Sequence, residues 1–523
     1  MADIGAFAKP AGAAALVTAW NVPLPDLAAT ENLAAFIAAQ LQPGDLVTLS
    51  GSLGAGKTAL ARAIIRALAA EPALEVPSPT FTLMQSYETS RGPVVHADFY
   101  RIAGPGELIE LGWDEVADTS ILLVEWPERA ASALNRARLD VILELVPADG
   151  TGARMATLRA TGSLASRFAQ ARALSALLHD AGWTDATRIP MQGDASTRAY
   201  ERLVKGTGET AILMISPPRP DGPPVRRGKP YSAIARLAES VHAFVAMDKG
   251  LRALGLSAPR IYGEDLDAGL LVIEDLGSEP VVGRDGPVPE RYGEAARLLA
   301  HLHGTMLPNV LPVAEGYDHV LSPYDGDALL IEVELLLDWY CPHLAGFDPS
   351  GSVRGEFVNL WRETLAEILR GPATWTLRDY HSPNLLWLAD RAGIARVGLL
   401  DFQDAVLGHP AYDLVSLLQD ARVTVPPDLE IKLLGLYARD RQAASPAFDM
   451  SAFARAYAIL GAQRATKILG IFARLDRRDG KPHYLAHLPR IETYLARNLA
   501  HGAVAGLRTW YETHLPRLAG GNA

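Results

Sequence analysis

This 523-residue chain is expected to fold as an α/β domain over residues 1–160 followed by a larger α+β domain over residues 161–523. Three features support that expectation. Near the start, a short apolar strand, DLVTLS (Asp45–Ser50), runs into the loop GSLGAGKT (Gly51–Thr58) and then into ALARAIIRALAA, which reads as a helix. Far downstream, the stretch Leu377–Asp404 places Asp379 and Asn384 five apart in a polar loop, and puts Asp401 after the apolar run Val397–Leu400. Around Thr161 the strand pattern gives way to helical periodicity, with no long linker. The first feature is the context of a P-loop NTPase, and the order of the second is that of a protein-kinase-like site.

Composition narrows the possibilities. Hydrophobic content of 49% and charged content of 21% describe an ordinary folded protein rather than a disordered one. A formal net charge of -11 argues against direct tight binding of nucleic acid through a broad basic surface. Cys341 is the single cysteine, so neither an intrachain disulfide nor a cysteine-rich metal site is possible, which fits a reducing compartment. The small apolar run Ala11–Trp20 lacks the basic flank of a signal peptide, and no stretch reaches the roughly 18 to 20 apolar residues that span a bilayer. A cytoplasmic protein without membrane contact is the expectation.

Within the first domain, the backbone N–H groups of Gly51, Gly54, Ala55 and Gly56 are expected to cradle phosphates at the helix N-terminus. Lys57 would reach the β- and γ-phosphates and Thr58 would hold magnesium. Two further apolar runs end in carboxylates: PVVHADFYR brings Asp98 to a strand end, and ILLVEW brings Glu125 to another. The residues alone leave two readings, a water- or metal-positioning pair or two solvated strand-end charges. Between them, VPSPTFTLMQSYE carries Pro77 and Pro79, which fix φ and predict a preformed loop around Ser78 and Thr80.

GSLGAGKT, SPTF (Ser78–Phe81), HADFYR (His96–Arg101), ELIELGWDE (Glu107–Glu115) and LLVEWPE (Leu122–Glu128) together resemble the TsaE family, the ATPase subunit of the bacterial tRNA threonylcarbamoyladenosine system. The likeness covers about Leu24 to Ala160. It implies that Thr30 lies near the adenine, that Thr80 and Asp98 act around the γ-phosphate, and that Glu125 is a magnesium ligand beside Trp126, itself a nucleotide contact. It also implies ATP as substrate and the other subunits of the threonylcarbamoyl-transfer complex as partners. Ser52 stands where the family usually carries Asp, which leaves the backbone cradle intact.

The second domain opens with the helical SLASRFAQARALSALLHDAGW. IPMQGDASTRAYERLV and TAILMIS then predict a hairpin and a third strand, with GDAST (Gly193–Thr197, including Ser196) over the nucleotide phosphates. SPPRPDGPPVRRGKP reads as an extended loop whose Arg226, Arg227 and Lys229 form a solvated charge run. YSAIARLAESVHAFVAMDKGLRALGL is helical in pattern. GLLVIEDLG is a strand entering a hinge, where backbone groups near Glu274 to Leu276 face the adenine edge. Helices dominate from Pro289 onward. In the Leu377–Asp404 stretch Asp379 would take the proton of an attacking hydroxyl, while Asn384 and Asp401 hold magnesium against the phosphates. Asp413 is assigned to a helix start.

GDASTR, VIEDLG, LRDYHSPNLLWL, LLDFQDAVLGHPAYDLVSLLQDA and LLDWY resemble the aminoglycoside phosphotransferase superfamily. Within it they are most similar to the AmgK-type anomeric N-acetylmuramate/N-acetylglucosamine kinases of cell-wall recycling, which implies a small amino sugar as acceptor. Met214 departs from the superfamily, which usually has a lysine on this third strand for the α- and β-phosphates. Arg198 is the expected replacement, with Arg202, or a larger share of the neutralisation by magnesium, as the alternatives. Other acceptors, an aminoglycoside or a choline-like alcohol, stay open, as does a regulatory module that binds nucleotide without turnover.

Overall fold

The computed structural model describes residues 17–104, 106–146, 153–191, 198–217 and 222–520. The chain divides into two compact units, residues 1–176 and 177–523.

The first unit is built on a seven-stranded sheet. Its elements run β1 (Val17–Leu24), α1 (Leu27–Gln40), β2 (Leu46–Gly51), α2 (Lys57–Ala69), β3 (Met84–Tyr87), β4 (Val94–Asp98), α3 (Gly106–Glu110), α4 (Trp113–Val116), β5 (Ile121–Glu125), β6 (Arg138–Leu145), β7 (Arg154–Thr161) and α5 (Ser163–Asp180). The strand order is β1-β7-β6-β2-β5-β4-β3, with β2 parallel to both β5 and β6 and β4 parallel to β5. β4 and β5 are buried along their whole length, as expected of parallel strands covered on both faces. Alternation divides them between two cores. Val47, Leu49, Ile121 and Leu123 pack with Leu33 and Ile37 of α1 and Leu60 and Ile64 of α2, whereas Leu46, Leu122 and Val124 pack with Phe99 and Trp113 on the other side. Leu164, Ala165 and Phe168 of α5 belong to the first of these cores, so the unit extends beyond β7 into that helix.

The second unit begins with a five-stranded antiparallel sheet of order β13-β14-β10-β9-β8. Its strands are β8 (Thr187–Met191), β9 (Ala199–Val204), β10 (Thr210–Ile215), β13 (Ile261–Asp265) and β14 (Leu270–Glu274). Between β10 and β13 lie the short pair β11 (Pro224–Arg226) and β12 (Lys229–Pro230), followed by α6 (Tyr231–Ala235) and α7 (Val241–Ala253). Two details differ from the sequence expectation. The basic cluster is only partly solvated: Arg226 lies 2.6 Å from Glu334, whereas Arg227, 3.6 Å from Asp327, and Lys229 are exposed as expected. The stretch read as one helix is two, because Arg236 adopts a left-handed φ of 58° and ends the first.

The remainder is mostly helical, with short two-stranded pairs that include Thr374–Thr376 with Val406–Gly408 and Leu385–Trp387 with Val397–Leu399, and it closes around one large core. Its longest helix, Met450–Asp479, has 30 residues. Among the described residues no helix is long and apolar enough to cross a membrane.

Candidate functional sites

In the first unit the site forms where β2 turns into α2. Gly51 has φ 141°, and a Cβ there would meet the Leu143 carbonyl oxygen at 2.4 Å, so only glycine fits. Gly56, at φ 105°, gives α2 a left-handed entry, and a Cβ there would crowd Arg154 Nε at 3.1 Å. Arg154 donates from that nitrogen to the Ala55 carbonyl at 2.7 Å, bracing the loop from β7. Lys57 donates to the carbonyls of Gly51 at 2.8 Å and Ser52 at 3.0 Å. Its Nζ stands 3.7 Å from the centre of the Trp126 ring. Desolvation lowers the Lys57 pKa, opposed by the charges of Glu125, Glu128 and Asp98.

Parallel pairing sets Asp98 directly beside Glu125. Thr58 Oγ1 donates to Glu125 Oε2 at 2.9 Å, which brings together the two oxygen donors assigned to magnesium. His96 Nε2 lies 2.9 Å from the other oxygen of Glu125, and both side chains are buried. His96 escaped the sequence reading, although it lies two residues before Asp98 on the same strand and therefore on the same face. Ser78 Oγ donates to Asp98 Oδ2 at 3.0 Å, and Thr80 Oγ1 lies 3.4 Å from Ser78 Oγ, so Thr80 joins the carboxylate through Ser78. Trp126 packs over Lys57 and against Tyr100, its ring centre 5.1 Å from the tyrosine's. Thr30 sits on α1 and donates to the Asp26 carbonyl at 3.1 Å, apart from this cluster of hydrogen bonds. Among the described residues no group of three His, Cys, Asp or Glu side chains could hold a metal alone. A hydroxyl and one carboxylate, completed by substrate phosphates, is the way magnesium is commonly held.

In the second unit a cavity of about 470 Å³ is lined by Asp379, Asn384 and Asp401, with Glu274 to Gly277 of the hinge, Tyr200, Arg202 and Ile212. The three residues singled out in sequence thus share one cavity. Asn384 Nδ2 donates to the Asp379 carbonyl at 2.9 Å, leaving its amide oxygen as the group suited to a cation. Asp401 holds a left-handed φ of 55° and accepts from Gln403 Nε2 at 2.7 Å and Arg198 Nη1 at 3.2 Å. Desolvation, then the charge of Asp379, raises the Asp401 pKa. Asp379 differs. Although desolvation works against it, the charges of His381, Lys467, Arg464 and Arg378 bring its carboxyl below the ordinary value, which keeps it ionised.

The loop is supported from below. Asp413, completely buried, accepts from Leu377 N at 2.7 Å and Arg378 N at 2.8 Å. Asp413 lies in the first turn of the helix Ala411–Leu418, as expected, but its carboxylate holds the Leu377–Arg378 backbone rather than capping that helix. Arg378 pairs with Glu332 at 2.5 Å, and Asp420 accepts from both Ser382 N and Ser382 Oγ. At the hinge the Glu274 N–H is engaged by the Arg260 carbonyl at 2.7 Å and its carboxylate by Arg391, while Leu276 lines the cavity. Met214 is buried on β10 opposite Tyr200 and supplies no charge. Arg198 borders Asp401, and Arg202 lines the cavity in an ion pair of 2.9 Å with Asp275. Ser196, with the rest of Gly193–Thr197, lies outside the described residues.

Comparison with known proteins follows the same division. A family model described as threonylcarbamoyl adenosine biosynthesis protein TsaE matches residues 24–151, and one described as the phosphotransferase enzyme family matches residues 187–454. The N-acetylmuramate/N-acetylglucosamine kinase of Caulobacter vibrioides is 40% identical over 356 residues, covering 66% of this chain and 96% of that protein. The protein of the same name from Pseudomonas putida is 31% identical over 62% of this chain and 87% of its own length. The tRNA threonylcarbamoyladenosine biosynthesis protein TsaE of Rickettsia felis is 40% identical over 117 residues, 22% of this chain and 68% of that protein.

Proposed function

The chain belongs to the TsaE family through its N-terminal part and to the phosphotransferase enzyme family through its C-terminal part, and on that premise we propose a bifunctional enzyme. The N-terminal part, proposed to span residues 1–160, hydrolyses ATP in support of tRNA threonylcarbamoyladenosine formation, acting with the other proteins of that system. The C-terminal part, residues 161–523, transfers the γ-phosphate of ATP to the anomeric hydroxyl of N-acetylmuramate or N-acetylglucosamine.

In the kinase site Asp379 takes the proton of the C1 hydroxyl as that oxygen attacks the γ-phosphorus, and ADP departs with the electrons of the broken P–O bond. Mg²⁺, when bound, neutralises phosphate charge. Asn384 and Asp401 would hold it here, and Thr58 with Glu125 would hold it in the ATPase site. The donors fit a hard cation, being carboxylate, amide and hydroxyl oxygens. Arg198, beside Asp401, is proposed to supply the positive charge that Met214 does not, with Leu276 and Glu274 at the adenine edge. In the ATPase site the Gly51–Gly56 backbone and Lys57 bind phosphate, while Asp98 positions the attacking water.

One observation carries the kinase reading: the residues for base and metal meet in a single cavity, within a part of the chain that spans 96% of an amino-sugar kinase at 40% identity. The test is transfer of labelled phosphate from ATP to each sugar. Product is expected with the wild type, and Asp379→Asn should lower kcat about 100- to 10,000-fold. Full activity of that variant would refute the assignment. For the first part, ATP hydrolysis measured with the partner proteins present should disappear in Lys57→Ala.

A further inference from the structure

The helix Met450–Asp479 presents Arg464, Lys467, Ile468, Ile471 and Phe472 to the cavity. The spacing of these residues, with steps of three and four, puts them on one helical face. The face is cationic at the Arg464 end and apolar toward Phe472. Arginine and lysine side chains divide between Asp379 and Asp401, two of the carboxylates that line the cavity. Arg198 sits on Asp401, whereas Lys467 and Arg464 act on Asp379, the residue that must meet the acceptor hydroxyl. The two base-side cations differ in turn. Lys467 Nζ lies 2.8 Å from Glu332, which offsets its charge. Arg464 is only 6% exposed. Its Nη2 donates to Ser416 Oγ at 2.7 Å, while Nη1 is buried without a hydrogen-bond partner among the described residues. A buried guanidinium nitrogen left unpaired is costly, and the cost is removed when an anion takes that position.

The two sugars of the proposed reaction differ in one respect that such a group can read. N-acetylmuramate carries a lactyl ether ending in a carboxylate, which N-acetylglucosamine lacks. We propose that Arg464, through Nη1, is the specificity residue that binds the carboxylate of the acceptor, so that the enzyme favours the acidic sugar over the neutral one. Ile468, Ile471 and Phe472, further along the same face, receive the apolar methyl groups of the sugar's substituents. This inference rests on the amino-sugar reading and extends it to the order of preference between the two substrates.

The test compares kcat/KM for N-acetylmuramate, for its lactyl carboxamide and for N-acetylglucosamine. The carboxamide keeps the shape of the carboxylate and removes its charge. With the wild type, the acid should exceed the carboxamide by about tenfold or more. Arg464→Met should reduce kcat/KM for the acid by about the same factor relative to N-acetylglucosamine, and Arg464→Lys should fall between. Equal use of acid and carboxamide by the wild type overturns the proposal whether or not the variants fold. So does an equal loss on all three acceptors in Arg464→Met, which would mean that Arg464 only supports Ser416. Phosphate transfer to none of the three would overturn the amino-sugar reading itself, and this proposal with it.

Discussion

Asp413 receives the backbone N–H of Arg378 on one carboxylate oxygen at 2.8 Å, and that of Leu377 on the other at 2.7 Å. Arg378 has a left-handed φ of 67°, a conformation that costs a side-chain-bearing residue about 1 kcal/mol or more unless its surroundings enforce it. The buried carboxylate enforces it one residue before Asp379, the proposed base. Asp413→Asn replaces one acceptor oxygen with an N–H₂ group facing an N–H. A loss of about 2 to 3 kcal/mol in urea denaturation is expected, together with a fall in kcat larger than any rise in KM for ATP. Unchanged stability and unchanged kcat would show that the loop holds its shape without this grip.

His96 and Thr58 share the Glu125 carboxylate, one on each oxygen, both at 2.9 Å. Partners behind a metal ligand fix its orientation, and their loss typically weakens metal binding 10- to 100-fold. His96→Leu should therefore raise the Mg²⁺ concentration needed for half-maximal ATP hydrolysis by about that factor, with activity recovered at high Mg²⁺. A lowered melting temperature with an unaltered Mg²⁺ dependence would assign His96 to packing alone.

What could be read from the sequence was local chemistry. The glycine loop declares itself because the left-handed turn at Gly56 into α2 depends on residues within a few positions, whereas the close approach of Gly51 to Leu143 is a tertiary contact. Asp379, Asn384 and Asp401 are legible because the roles recur at a recognisable spacing. The supporting groups were not legible, since tertiary contact creates their roles. Asp413 reaches back 36 positions to Leu377, and Arg226 finds Glu334 108 positions away. Arg464 looks like any arginine on a helix until the fold turns it toward Asp379. The break at Arg236 was hidden for a different reason, because only its φ, and not its residue type, marks the end of α6.

Asp248 on α7 is 1% exposed, and its Oδ1 has no hydrogen-bond partner among the described residues. Desolvation raises its pKa to about 7, against the partly compensating charges of Arg252 and Lys249. The folded state therefore holds this proton more tightly than the unfolded chain, whose Asp titrates near pH 4. The sign follows from linkage: stability is greatest below about pH 4, declines as pH rises toward 7, and levels off above. Over that window the decline from this group amounts to at most roughly 4 kcal/mol. Asp248→Asn should flatten the profile and gain stability at pH 8 relative to the wild type. Parallel denaturation curves for the two proteins from pH 4 to pH 8 would contradict this.

Arg198 sits 3.2 Å from Asp401, immediately before β9, whose neighbour β10 carries the uncharged Met214. If Arg198 supplies the phosphate-directed charge, Arg198→Ala should lower kcat/KM for ATP about tenfold or more, and Arg202→Ala should do less, because Arg202 is held on Asp275 of the hinge whereas Arg198 is held on Asp401. Met214→Lys is not expected to rescue the first variant. The Met214 side chain is in the core, and a lysine there would bury an unpaired charge. Wild-type kinetics in Arg198→Ala would sink the assignment.

The strand pattern ends near Thr161, but the core of the first unit does not. Phe168 of α5 is fully buried, with its ring 5.9 Å from Trp20 and 6.0 Å from Phe36, and Leu164 and Ala165 are buried beside it. Arg167 ties the same helix to Asp45 and to the Gln40 carbonyl. Burying a Leu or Phe side chain contributes about 1.5 to 3 kcal/mol each, so a fragment cut after Ala160 forgoes several kcal/mol that one ending at Ala176 keeps. The longer fragment should melt at least 10 °C higher, since 1 kcal/mol moves the midpoint by roughly 2 to 4 °C in a domain of this size. Separate assay of each fragment for ATP hydrolysis, and of residues 161–523 for phosphate transfer, then tests whether the two activities are independent. Equal melting temperatures for the two N-terminal fragments would place the end of the folding unit at β7.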